Sequence, residues 1–330
     1  MLNVAQIGVG YWGPNLLRNL DENDQCEVMI VADLSENRRK FVQKHYWSII
    51  TTEDCYQIFD DSTIDAVVIA TPANSHFDLV MESLNVGKHV LVEKPMARTV
   101  KEVEIIMKTA KEKNLVAMVG HTFLYNSAVR YLRAYIESGE LGEVRYIYSQ
   151  RLNLGRIRSD VDALWNLAPH DVSIIQYLLG NPTPVSVRRY GMDYVQKDID
   201  DVVFMNIEYP RKIMANIHVS WLDPHKIRKT TVVGSRKMIV YDDVADDKIA
   251  IYDKGIDEVA ELGKNMDYDN GSVYKLSYRS GDLIFPRIKF EEPLKIEIEH
   301  FLDCIRNKTE CLTGPQHALN VIKILSEDFL

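Results

Sequence analysis

The stretch Val4-Ala5-Gln6-Ile7-Gly8-Val9-Gly10-Tyr11-Trp12-Gly13 decides how this chain is read. Its apolar run, Val4 to Gly8, is too short for an amphipathic helix and fits a strand buried on both faces. Glycines then recur in the spacing G-x-G-x-x-G, and Pro14 leads into a helix-period segment. The spacing is weak evidence alone, since any strand-to-helix turn tolerates glycine. Between a strand and a helix it gains meaning, because glycines permit a tight turn and close backbone approach to a ligand. The helix N-terminus then offers free N–H groups and positive dipole to a pyrophosphate.

Similar runs follow at Val28–Asp33, Ala66–Thr71, His89–Glu93 and Val116–Gly120, each ended by a turn or cap residue and separated by helix-period stretches. Repeated strand–helix units predict a doubly wound parallel α/β sheet, a Rossmann dinucleotide-binding domain over residues 1–121. Asp33 closes the second run 20 residues after Gly13, where a carboxylate accepts hydrogen bonds from the adenosine ribose hydroxyls. It would also repel a 2'-phosphate, which favours NAD over NADP, although Arg38 and Arg39 keep NADP open. The competing role for Asp33 is a helix N-cap, since Ser35 and Asp33 both suit capping.

Beyond residue 121 the pattern changes. Ile213, Ala215, Ile217, Val219 and Trp221 form one apolar face, with Lys212, Asn216, His218 and Ser220 opposite, a period of two. Val202–Tyr209, Lys229–Val233, Met238–Tyr241 and Ile249–Tyr252 read similarly. The expectation for residues 122–330 is an α+β domain with a large, mostly antiparallel, open-faced sheet, closed by helices from Leu294 to Asn307 and from Pro315 to about Asp328. A broad sheet with one face uncovered would leave an apolar patch in water, so a homodimer or homotetramer through that sheet is expected.

The net charge of -9 argues against a nucleic-acid surface. Met1 runs directly into an apolar strand without a basic leader, and 18 apolar residues never run together, so a cytoplasmic protein without a membrane partner is expected. Cys26, Cys55, Cys304 and Cys311 are scattered without a C-x-x-C pair and read as buried free thiols. No His/Cys/Glu set shows metal-ligand spacing, and no metal is expected.

Three further segments add specificity: Ala70-Thr71-Pro72, Asn74-Ser75-His76 and Val92-Glu93-Lys94-Pro95. Together with the glycine loop they resemble the glucose-fructose oxidoreductase / inositol dehydrogenase / rhizopine catabolism family (Gfo/Idh/MocA) along the whole chain. The resemblance implies cofactor contacts from Gly8, Gly10, Tyr11, Trp12, Gly13, Asp33, Thr71, Pro72, Asn74, His76, Glu93 and Lys94. It also implies a cis Lys94-Pro95 bond, a catalytic Lys94 near the reacting carbon, and His170 as acid or base. The chemistry is consistent: hydride leaves a secondary alcohol carbon as its hydroxyl proton is removed, so a base near neutral pKa is needed, and an ammonium favours alkoxide character. Asn166, four before His170 on the same helical face, stands where many family members carry Asp. It can hydrogen-bond substrate hydroxyls but cannot act as a general base. Asp171 is a poor replacement, because neighbouring helical residues point about 100° apart.

For substrate, Arg151, Arg156 and Arg158 cluster in an acidic chain and suit an anionic group such as a nucleotide diphosphate, or equally a solvated loop paired with Asp160 and Asp162. Trp165 and Trp221 suit a sugar platform or a core equally well, and Tyr125 and Asn126 lie where pockets form beyond strand ends. The resemblance extends to a nucleotide-sugar branch and implies UDP-N-acetylglucosamine-type substrates oxidised at C3. Free sugars and cyclitols stay open. Two other readings compete: an NADP-dependent ketosugar reductase, against which Asp33 speaks, and a non-catalytic NAD-binding sensor, against which Lys94 and His170 speak together.

Overall fold

The computed structural model describes residues 1–155, 157–159, 161–259 and 275–328. The chain forms two compact units: Met1–Ser127 with Val172–Gln176 and Phe290–Leu330, and Ala128–Asp171 with Tyr177–Lys289. A contiguous division at residues 121/122 was expected. The chain instead returns, so that its last two helices belong to the first unit.

In the first unit, β1 (Leu2–Ile7), β2 (Cys26–Ala32), β3 (Ile50–Thr52), β4 (Ala66–Ile69), β5 (His89–Glu93) and β6 (Ala117–Gly120) form one sheet in the order β3-β2-β1-β4-β5-β6. All its pairings are parallel. This is the doubly wound order, whose direction reverses between β1 and β4, the place where such sheets bind ligands. The runs read from the sequence match within one or two residues. Only β3 escaped notice, three residues being too few for a periodic signal. Val67, Val68, Ile69, Val90 and Val92 are fully buried, as strands covered on both faces require.

The intervening helices are α1 (Gly13–Asp21), α2 (Glu36–His45), α3 (Tyr56–Asp60), α4 (His76–Asn85) and α5 (Val100–Lys113). The last opens with a capping box: the Thr99 hydroxyl accepts from the Glu102 N–H, and the Glu102 carboxylate accepts from the Thr99 N–H. The second unit contains α6 (Ser127–Glu137) and the start of α7 (Ala163–Leu179); α8 (Pro293–Asn307) and α9 (Pro315–Ser326) complete the first. α8 turns Leu294, Ile298, Phe301 and Leu302 inward, and α9 turns Ala318, Val321, Ile322 and Leu325; both helices match the expected spans within two residues.

The second unit is built on β7 (Val144–Leu154), β8 (Ser186–Met192), β9 (Val202–Tyr209), β10 (Ile213–Ser220), β11 (Leu222–Gly234), β12 (Met238–Asp242), β13 (Ile249–Val259) and β14 (Lys275–Ile284), in the order β14-β13-β12-β11-β7-β10-β9-β8. All pairs are antiparallel except β7 with β10. Val203, Met205, Ile207 and Tyr209 of β9 are buried and oppose Val219, Ile217, Ala215 and Ile213 of β10, which are buried too. The alternating residues Phe204 and Met214 are exposed, so the expected two-faced sheet is present.

If α8 is part of the first unit's core, Ile298→Ala should destabilise the protein by about 2–5 kcal/mol in urea unfolding. A loss near that of an exposed substitution would sink this packing.

Candidate active site

The glycine turn is shaped by close approach. Gly8 has φ +95°, and a Cβ there would lie 2.6 Å from the Ala70 carbonyl oxygen at the end of β4. A Cβ on Gly13 would lie 2.6 Å from the Gly8 oxygen, so the start of α1 packs directly on the turn. Gly10 differs: a Cβ there would meet nothing within 4 Å, so the turn is open on that side. The Trp12 side chain at the α1 N-cap makes no capping hydrogen bond; Pro14 has no N–H and the Asn15 N–H donates to the Trp12 carbonyl at 2.9 Å, so the helix start offers a phosphate chiefly the positive end of its dipole. The turn therefore fits a dinucleotide pyrophosphate. Tyr11 is almost wholly exposed.

Asp33 lies just past β2. Its Oδ2 accepts from the Val9 N–H at 2.7 Å and its Oδ1 from the Ser35 N–H at 2.8 Å, so it ties the glycine turn to the second strand's end. The carboxylate keeps lone pairs for ribose hydroxyls. Ser35, not Asp33, is the N-cap of α2. Arg39 donates to the carbonyls of Asp33 and Leu34 and pairs with Glu53 at 3.2 Å, whereas Arg38 is exposed.

Across the switch point, Thr71 is half-buried, while Pro72 and Asn74 are exposed. His76 is buried, with Nδ1 2.7 Å from the Pro95 oxygen and Nε2 2.8 Å from the Thr71 oxygen. Burial holds its pKa below the ordinary histidine value, and the Lys94 charge adds to the effect. His76 was expected to touch the cofactor. Its ring instead lies between the Pro95 and Thr71 carbonyls, and the neutral imidazole donates to one of the two.

Glu93 ends β5, and Lys94 follows with the cis Lys94-Pro95 bond anticipated from the sequence. Both are half-buried. The Lys94 N–H donates to Glu93 Oε2 at 3.3 Å, and the Trp12 indole donates to the same carboxylate. Gly120 lets that carboxylate lie over the end of β6, since a Cβ would sit 3.2 Å from Glu93 Oε1. Burial pushes Glu93 up to about 7, against the Lys94 charge and the two donors, which lower it.

Residues that the sequence reading overlooked lie behind this strand end. Glu297 of α8 is fully buried and accepts from the Thr122 hydroxyl at 2.8 Å; burial and the Glu93 charge hold its pKa well above the carboxylate range. His121 and His317 are buried with ring centroids 5.1 Å apart. Burial pushes His317 down to about 4 and His121 well below its ordinary value, His317 and Lys94 adding to the second shift. A signal existed: Glu297 and His317 interrupt otherwise apolar helical stripes.

Tyr125 was expected in a pocket. It is buried, with its hydroxyl 3.1 Å from Thr313 Oγ1, and serves packing instead; Asn126 is half-buried.

In the second unit, α7 carries Trp165, Asn166 and His170, all half-buried, with Asn166 and His170 one turn apart on the same face. Pro169, between them, withdraws the ladder hydrogen bond to the Trp165 carbonyl. Trp221 is buried, and its indole donates to Asn166 Oδ1 at 3.4 Å, so it orients Asn166 from the core and offers no platform to a sugar. An aspartate would accept the same bond, which explains how the position tolerates the amide. Arg151 requires a second correction. It is buried on β7, with Nε 2.7 Å from Asp171 Oδ2, while Ser149 donates to Asp171 Oδ1 at 2.6 Å. It holds an internal ion pair and is not displayed to an anion. Arg156 and Asp160 lie outside the described residues, and Arg158 is exposed.

A parallel sheet in this order, with a glycine turn at its switch point and an acidic residue at the end of β2, defines a dinucleotide-binding Rossmann fold. Residues 2–121 match the model of the Gfo/Idh/MocA oxidoreductase family's NAD-binding Rossmann fold, and residues 129–240 match its C-terminal domain. The chain belongs to this family. Scyllo-inositol 2-dehydrogenase (NAD(+)) of Bacillus subtilis is 24% identical, over 96% of this chain and 90% of its own. UDP-N-acetylglucosamine 3-dehydrogenase of Acidithiobacillus ferrooxidans is 34% identical over 42% of each chain. A solved structure of that enzyme superposes with a TM-score of 0.80 at 22% identity, covering 99% of this chain and 96% of the other. Three further relatives are matched over 61%, 59% and 61% of their lengths, so the chain spans about six tenths of those proteins. Among the described residues no helix is long and apolar enough to cross a membrane.

The raised Glu93 value has a measurable sign. Its carboxyl titrates from 4.5 when unfolded to about 7 when folded, so the folded protein holds the extra proton and Glu93's contribution to stability falls as pH rises through that window. His317, at about 4 against 6.5, acts oppositely and loses stability as pH falls. Subtracting wild type from Glu93→Gln in urea titrations isolates the carboxyl: the variant should gain on wild type between pH 4.5 and 7. A constant difference would contradict the raised value.

Proposed function

We propose that this chain is an NAD-dependent dehydrogenase that takes a hydride from a hydroxyl-bearing carbon of a sugar, working in the cytoplasm on a small molecule. The observation that carries the reading is Lys94, half-buried just past β5 beside Glu93, whose carboxylate accepts from Trp12 of the glycine turn. Bound nicotinamide would supply the hydride acceptor. Gly8, Gly10 and Gly13 would admit the pyrophosphate, and Asp33 would hold the adenosine ribose. Asp33 supports NAD over NADP, since Arg39 is already tied to two carbonyls and Glu53. Lys94 would stabilise negative charge growing on the substrate oxygen, and His170 would take the hydroxyl proton. Asn166, oriented by Trp221, would hydrogen-bond a neighbouring hydroxyl.

For the substrate, the similarity to UDP-N-acetylglucosamine 3-dehydrogenase supports a nucleotide sugar of that type, oxidised at C3. A free sugar or inositol is the second reading. It is favoured by the Arg151–Asp171 pair, which removes one cation from any diphosphate site, and by the full-length similarity to scyllo-inositol 2-dehydrogenase.

Purified protein with NAD and a panel of UDP-sugars, free sugars and inositols should produce NADH with one class. Lys94→Ala and His170→Ala should each lower kcat by about 10²–10⁴ while NAD still binds. Binding of NAD without turnover or keto-sugar reduction by any panel member would favour a sensor.

The sheet's outer face supports a homo-oligomer. Tyr146, Phe204 and Met214 are 44%, 45% and 46% exposed on β7, β9 and β10, with Tyr146 beside Met214 in register. A second copy would cover them. Light scattering should give a dimer or tetramer for wild type and a smaller species for Phe204→Glu/Met214→Glu; a monomeric wild type would end this part of the reading.

A further inference from the structure

His300 and Cys304 lie one turn apart on α8, and Cys311 follows in the loop to α9. Linear spacing hid their relation, because the chain reverses at Lys308, whose φ of 53° ends the helix in the left-handed region. The reversal brings one imidazole nitrogen and two sulfurs within 4.8 Å of one another. We propose that His300, Cys304 and Cys311 form a binding site for a borderline-soft divalent cation, with zinc as the ion best matched.

The donor set selects the metal. Two thiolates and an imidazole suit zinc, whereas magnesium and calcium require oxygen. Around tetrahedral zinc, bonds of about 2.3 Å to sulfur and 2.0 Å to nitrogen place neighbouring donor atoms roughly 3.5–3.8 Å apart. His300 Nε2 and Cys304 Sγ are already 3.4 Å apart, so Cys311 needs to close by no more than about 1.3 Å, within reach of a side-chain rotation. The existing contacts would be exchanged in an orderly way. Cys304 and Cys311 share a hydrogen bond, Cys304 also lies 3.7 Å from the Glu310 oxygen, and the Leu312 N–H donates to His300 Nε2 at 2.9 Å. Metal binding would release the thiol protons and divert the His300 lone pair, so one backbone hydrogen bond yields to three metal–ligand bonds. Cys304 is buried and Cys311 half-buried, so an ion would reach the trio from the loop that carries Cys311, and a water would complete its coordination.

The consequence is structural. The Thr313 carbonyl accepts from the Val119 N–H of β6 at 2.9 Å, and its hydroxyl meets Tyr125 at 3.1 Å. An ion that fastens residues 308–314 to α8 therefore braces the strand that ends beside Glu93. The site stands apart from the proposed hydride transfer, because none of its three ligands is among the residues assigned to that chemistry.

The test uses the reduced full-length protein, loaded with Co²⁺ or Zn²⁺ and desalted. One ion per chain, thiolate-to-cobalt charge-transfer absorption with tetrahedral visible bands, and a higher Tm with zinc are expected. Cys311→Ser and His300→Gln should lose the retained ion and the cobalt spectrum while keeping the wild-type far-ultraviolet circular dichroism. Cys55→Ser, a free cysteine outside the trio, should keep them. Failure of wild type to retain the ion, equal loss in Cys55→Ser, or a Cys304–Cys311 disulfide in protein purified without reductant would overturn the proposal.

Discussion

The contact on which the rest depends is that of the Gly8 backbone against the Ala70 carbonyl. No side chain fits between β1's turn and β4's end, and the positive φ that makes the turn is strained for any residue with a Cβ. Two further bonds hold the turn from the other side: the Gly8 N–H to the Ala32 carbonyl and the Val9 N–H to Asp33. Three strand ends are thus gathered at the point where the sheet reverses direction, and the hydrogen bond from Trp12 to Glu93 ties the end of β5 to the same turn. The sheet supplies rigidity through strands whose buried side chains are mostly apolar, and the buried Gln6 of β1 donates to the Gly8 and Gly13 carbonyls of the turn.

Around this frame, polar groups are buried at a cost that the fold meets with specific partners. His76 spans the Thr71 and Pro95 carbonyls, Glu93 draws on Lys94 and Trp12, and Glu297 draws on Thr122. Removing carboxylates and imidazoles from water favours the neutral form of each, which raises Glu93 and Glu297 and lowers His76. Lys94 emerges from this environment next to Glu93, which ties its local field to the packing of α8 and α9. The second unit uses the same device differently: Asp171 is satisfied by Arg151 and Ser149, and the ion pair anchors α7 to the sheet near His170.

The differences between sequence reading and structure share a cause. Arg151 looked like one of an arginine cluster facing an anion, but strand alternation turns it inward beside Ser149 to meet Asp171, 20 residues away. Trp221 shares the apolar face of β10 and is buried with it. Tyr125 follows a strand end, as pocket residues do, yet its ring packs against His300 and its hydroxyl meets Thr313. Each was assigned from its neighbours in sequence, whereas its partner was set by residues far along the chain. Cys55 and Cys311 are half-buried rather than buried for the same reason.

Most elements and their order were legible in the local sequence, β3 excepted. Apolar runs of strand length, glycines at fixed spacing, the Asp33 position and the Glu93-Lys94-Pro95 turn are local features, enforced by sterics and by the period of each secondary structure. It also placed Asn166 and His170 on one helical face, since that follows from 3.6 residues per turn. Only the tertiary structure decided which polar groups satisfy one another. It returned α8 and α9 to the first unit, aimed Glu297, His121 and His317 toward the buried end of β5, and gathered His300, Cys304 and Cys311 at a chain reversal. Such pairings depend on long-range packing, where burial makes an unmet polar group expensive and so selects partners that no local pattern announces.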